Sequence, residues 1–152
     1  MNYIKSILFI SSLIVLLSGC GNGEVIPDES MFELKISVPE VINPGQSVDI
    51  KVDLTNDSKY IWEGTHGLDL FKYKVKDSQG NEVPTFEGIR AVDALGISFK
   101  LGKNDTYSFY ESDRYQENLN QITIKKSGVY ILEVSCEIRI YHKEKDYPVL
   151  IK

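Results

Sequence analysis

Cysteine is scarce in this chain, with two in 152 residues, too few for a disulfide-rich scaffold. Basic residues are outnumbered, 17 Lys and Arg against 22 Asp and Glu. A formal net charge of −5 argues against a nucleic-acid binder held by phosphate contacts. Alanine, the best helix former, occurs only twice. There is no Gly-x-Ser-x-Gly, no phosphate-binding glycine loop and no Cys-x-x-Cys, so an enzyme is not expected, nor a cofactor. The hydrophobic share of 42% is ordinary for a globular protein and excludes wholesale disorder. The length suits one domain.

The N-terminus reads as a processing signal. Lys5 is the only charge before Glu24, and Ile7 to Leu17 is apolar apart from Ser11 and Ser12. A bilayer-spanning helix needs about 20 apolar residues; this run instead has the length of a signal-peptide core. It leads into Leu17-Ser18-Gly19-Cys20, which resembles the lipobox of bacterial lipoproteins. The resemblance implies cleavage after Gly19 and a diacylglyceryl group on the sulfur of Cys20. Residues 1–19 are then the signal peptide, 20–30 the lipidated Cys and a flexible tether, and 31–152 the folded domain. One acyl chain holds a protein marginally and two hold it stably, at about 0.8 kcal/mol per buried methylene. The expected partner is therefore the cell membrane, reached through Cys20 from the extracytoplasmic face. Cleavage removes Lys5 and leaves 16 basic and 22 acidic side chains, so the thioether rather than surface charge holds the domain there. Gly21, not Asp, follows the Cys; by resemblance to sorting in two-membrane bacteria, that is no inner-membrane retention signal. A tether over 21–30 reaches roughly 35 Å at most.

Beyond it, period-two alternation recurs. Phe32, Leu34, Ile36 and Val38 share one side of a predicted strand; Val48, Ile50, Val52 and Leu54 share another. Phe71, Tyr73 and Val75 alternate with three lysines before a hairpin turn at Asp77 to Asn81. Ile97 to Leu101, a weaker Thr106 to Tyr110, and Ile122 with Ile124 follow. The last long strand runs from Val129 to about Tyr141, with a short return strand at Val149 to Ile151 beside Pro148. Helical turns are tolerated at Asp113 to Gln121 and at Glu87 to Leu95. From residue 20 onward, 29 Val, Ile and Thr residues favour strands. The expected fold is all-β, an immunoglobulin-like two-sheet sandwich of seven or eight strands.

Three segments, Val48 to Asn56, Phe71 to Asp77 with Gly80 and Val83, and Gly128-Val129-Tyr130, are similar in order to the BsuPI domains, the intracellular proteinase inhibitor family of bacilli. Leu101-Gly102 stands where that family tends to place Pro-Gly. The family's Trp-rich stretch after Val83 is missing and a leader is present. The resemblance implies a sandwich and, as one activity, inhibition of an extracytoplasmic protease. The other functional expectation is a non-catalytic surface binding or exclusion module that docks a protein or envelope partner.

Four groups of residues are candidates for chemistry. Cys136 alternates with Leu132, Val134, Ile138 and Ile140 and reads as a core residue; a copper or redox site with His142 lacks a second His and a nearby Met. His66 in Gly64-Thr65-His66-Gly67, followed by Asp69, reads as a solvated loop histidine, with a metal or general-base role as the alternative. Asn56-Asp57-Ser58 and Asn104-Asp105-Thr106 match a glycosylation pattern and read as turns. Tyr60, Trp62, Tyr107, Tyr110 and Tyr115 form two aromatic segments. They are a candidate partner surface, because rigid aromatic groups mark interfaces; alternatively they close the ends of the core.

Overall fold

The computed structural model describes residues 24–85 and 96–152. The expected signal peptide at 1–19, Cys20, and the helical turn at Glu87 to Leu95 lie outside the described residues. No helix among the described residues is long and apolar enough to cross a membrane.

The described chain is all-β and forms an antiparallel β-sandwich. Its strands are β1 (Phe32–Ser37), β2 (Ser47–Asp49), β3 (Lys51–Asn56), β4 (Trp62–His66), β5 (Phe71–Asp77), β6 (Glu82–Val83), β7 (Ile97–Leu101), β8 (Thr106–Ser108), β9 (Gln121–Thr123), β10 (Tyr130–His142) and β11 (Lys145–Ile151). Several of these are pieces of longer lines. The expected strand from Val48 breaks at Ile50, whose N–H turns away to the Asn120 carbonyl. The break separates β2, paired with β9, from β3, paired with β1 and β8.

The second layer is built around β10. Cys136 pairs with Phe71 on one side and Ile151 on the other, so β5 and β11 occupy opposite edges of β10. Arg139 to Tyr141 likewise pair with both β4 and β11, which puts β4 and β5 on one edge as a single line interrupted at residues 67–70. β6 and β7 continue outward from β5 and β4 respectively.

Alternation decides what each layer buries. Val134, Cys136, Ile138 and Ile140 point inward from β10 and are buried, as their spacing predicts. They share one core with Val52 and Leu54 of β3, Trp62 of β4 and Phe99 of β7. The outward face of β10 carries cross-strand ion pairs, Glu137 to Lys72 at 2.8 Å and Glu133 to Lys76, and β4 adds Glu63 to Lys100 at 2.6 Å. All six side chains are solvated, so each pair contributes little to stability.

The sandwich has two unlike ends. At the N-terminal end, Asp28 caps a 3-10 turn over Glu29–Met31, and the Met31 carbonyl accepts the Asp57 N–H. The loop 57–61, the turn at 102–105 and the β10–β11 turn at Lys143 and Glu144 lie at this same end. That last turn has both residues at positive φ, 48° and 63°, the conformation a two-residue hairpin demands. The far end carries the connections 38–46, 78–81 and 124–129. Within the expected tether, Val25 packs against the core and Pro27 is buried, because apolar residues there meet the sandwich before β1 begins.

Candidate functional site

Trp62, read from sequence as part of a possible surface, is a core residue with 1% of its surface exposed. It opens β4. Its indole N–H donates to the Ser58 hydroxyl at 3.0 Å, and its ring contacts Tyr60 and, edge-on, His142. Tyr60 is half-buried against it, with the Lys59 ammonium 5.3 Å from the ring centre. Ile61 between them faces solvent.

The second aromatic segment packs inward as well. Phe109 is fully buried, Tyr107 and Tyr115 lie against the core, and Tyr110 is half-buried beneath the Lys51 ammonium. The Tyr115 hydroxyl is buried without a hydrogen-bond partner. Burial first, then the nearby Asp49 and Glu117 carboxylates, push its pKa up to about 12. The five candidate residues Tyr60, Trp62, Tyr107, Tyr110 and Tyr115 thus close the N-terminal end and one flank of the core more than they form an outward patch.

The loop reading of His66 is corrected by the structure. Gly64, Thr65 and His66 belong to β4, and His66 is buried, only 5% exposed. It shares its strand face with Trp62 and Gly64. Its Nδ1 lies 2.6 Å from the Gly67 carbonyl and its Nε2 lies 2.9 Å from the Tyr107 hydroxyl. A carbonyl can only accept, so the proton sits on Nδ1, and the Tyr107 O–H donates to Nε2. Phe99, Tyr107 and Phe109 rings surround the imidazole, with Phe109 edge-on at 4.8 Å. Burial lowers the His66 pKa, opposed in part by the Gly67 carbonyl. The histidine is a neutral strut between the two layers, and its proton-accepting nitrogen is already occupied.

Cys136 is fully buried, and its surroundings push the thiol up to about 12. Among the described residues no group of three His, Cys, Asp or Glu side chains could hold a metal ion.

Asn56 is the residue whose weight the sequence reading missed. Read as a turn residue, it is completely buried. Its two side-chain N–H bonds are shared among the carbonyls of Tyr60 (2.7 Å), Leu101 (3.1 Å) and Gly102 (2.9 Å). Its Oδ1 accepts from the Ser58 N–H and hydroxyl. Its backbone bonds the Asp105 carbonyl and the Asn104 N–H. One amide therefore ties together the loop 57–61 and the turn 102–105. The signal available in sequence was Asn followed by Ser two places on, a pairing that favours a local side-chain turn.

The far end offers a cavity of about 740 Å³ between the edges of the two layers. Ser47, Asp77, Val83, Thr123, Lys126 and Tyr130 are among its walls. Its volume falls in the range of ligand sites. Beside this end stand exposed aliphatic side chains, Ile36, Val38, Val41, Val129 and Ile131, with Val41 at 83% and Val129 at 79% exposure. Ile36 and Val38 share the predicted strand side of Phe32 and Leu34, but the structure leaves both exposed and ends β1 at Ser37; Val41, Val129 and Ile131 carried no sequence signal. No protein-family model and no curated protein matches this chain.

Proposed function

We propose that this protein is a membrane-anchored lipoprotein whose extracytoplasmic sandwich acts as a non-catalytic binding module, docking a partner protein at the far end. The observation that carries this reading is the cavity of about 740 Å³ at the far end, an end that also holds the exposed Val38, Val41, Val129 and Ile131. Exposed aliphatic groups at an end of the sandwich that also holds a recess are what a docking surface supplies. The lipobox Leu17-Ser18-Gly19-Cys20 supports the anchor. We also assign the sandwich to the immunoglobulin-like type. Its three lines β1, β2/β3 and β8/β9 face a sheet ordered β6/β7, β4/β5, β10, β11.

The inhibitor alternative draws no support from the residues that suggested it. Val48, Val52 and Leu54 fill the core, Asn56 ties two loops, and Gly80 holds a positive φ of 85° in the hairpin turn. Each is explained by folding. Leaving a broad panel of extracellular proteases fully active removes that reading.

The test places a photo-crosslinking residue at Val41 or Val129 in intact cells. A discrete adduct that disappears when Val38 and Ile131 are changed to Asp supports the reading. No adduct from either position, combined with a deletion strain unaltered in envelope integrity, overturns it. Cys20→Ala tests the anchor separately: the variant protein should leave the membrane fraction for the soluble one.

A further inference from the structure

We propose that the N-terminal end of the sandwich is a bilayer-facing surface, seated at the phospholipid headgroups, so that the far end points away from the membrane. The inference rests on lipidation at Cys20. Val25 packs against the core, Pro27 is buried, and Asp28 caps the 3-10 turn whose Met31 carbonyl holds the Asp57 N–H. The body therefore begins at Val25, and only five residue steps separate it from the anchored sulfur. At about 3.3–3.6 Å per step they reach about 17 Å at most, half the reach that a tether running to Ser30 has. An anchor this short cannot let the domain turn over, because β10 alone runs for 13 residues, on the order of 43 Å at strand rise.

The side chains at this end suit a headgroup layer. Ile26 and Ile61 are 56% and 61% exposed, and Tyr60 lies beside Ile61, half-buried. Lys59, Lys103 and Lys143, one on each of the three connections, are exposed. Their aliphatic stems can lie along an apolar boundary while the ammonium groups stay in the headgroup zone. Asp28 and Asp105 turn their carboxylates into their own turns, to the Ser30 and Gly102 N–H groups at 2.9 Å each. Asp57 and Glu144, both exposed, offset much of the lysine charge. The seating is thus set by the short tether and the two isoleucines, and lipid charge contributes little.

The experiment uses the lipidated mature protein in phosphatidylcholine vesicles, with single added cysteines carrying an environment-sensitive fluorophore. Lys59→Cys and Lys103→Cys report the N-terminal end; Gln79→Cys and Ser127→Cys report the far end. Headgroup-nitroxide lipid should quench the first pair at least threefold more than the second. Inserting twenty Gly/Ser residues after Gly23 should bring the first pair close to the second. Equal quenching at both ends of a protein that floats with the vesicles overturns the orientation and leaves the anchor standing. A protein that fails to float overturns both.

Discussion

Replacing Asn56 by Ala deletes one carboxamide and strands five bonding groups at once. The lost contacts are the carbonyls of Tyr60, Leu101 and Gly102 and the Ser58 N–H and hydroxyl. The Leu101 contact is buried, and the others lie nearer the rim, where water can replace part of what is lost. An unmade buried hydrogen bond costs about 1–3 kcal/mol. Counting one fully buried acceptor and partial losses at the rim, the substitution should cost about 3–5 kcal/mol. That is a large share of the roughly 5–15 kcal/mol that holds a typical domain together. In thermal unfolding it corresponds to a drop of about 12–20 °C, taking about 4 °C per kcal/mol for a domain of this size. Asn56→Asp should cost at least as much, because an anion would face three carbonyl oxygens and could donate to none. Asp57→Ala, one residue along and exposed, should stay within about 0.5 kcal/mol of the parent protein. Urea unfolding of the three variants measures this directly. A loss below about 1 kcal/mol for Asn56→Ala, with cooperativity unchanged, refutes the claim that one amide locks the two loops.

Three further outcomes follow from the same geometry. Because burial lowers the His66 pKa, the unfolded chain takes up the proton first, near pH 6.5. Stability should therefore be full above that pH and fall as pH drops toward the folded-state value; urea midpoints between pH 7.5 and 5 should show the slope, and His66→Gln should flatten it. Cys136, with its thiol pushed up to about 12 by burial, should ignore a disulfide reagent at pH 8 in folded Cys20→Ala protein and react with one equivalent in urea. Gly64→Ala should destabilise by about 1–3 kcal/mol or more, since its Cβ would collide with the Arg139 carbonyl oxygen and sit 2.9 Å from the Phe99 ring. Gly96→Ala, with nothing within 4 Å, should be neutral in the same denaturation assay.

The strands that a reader of the sequence can place are those whose alternation is written in aliphatic side chains. β10 runs Tyr130–His142 against an expected Val129 to about Tyr141, and β5 runs Phe71–Asp77 against an expected Phe71 to Lys76. Turn chemistry was equally legible at Asp77 to Asn81, where the Asp77 carboxylate accepts the Gln79 and Asn81 N–H groups. β4 was missed because its inward line is Trp62, Gly64 and His66, and glycine and histidine carry no hydrophobic signal. Its burial comes from β7 beside it and from Tyr107 and Phe109 across the sandwich. The aromatic clusters could not be sorted into core or surface for the same reason. A tyrosine's ring is buried or exposed according to what a distant strand brings against it.

By itself the sequence determined the all-β class, the inward and outward faces of the long strands and the position of most turns, since these depend on neighbours one to four residues apart. Only the tertiary structure decided that His66 is a buried strut, that Asn56 ties two loops together, and that the end away from the N-terminus holds both a cavity and exposed aliphatic groups. Each of those depends on groups 40 or more residues apart in the chain meeting in space, and no local pattern encodes which ones will meet.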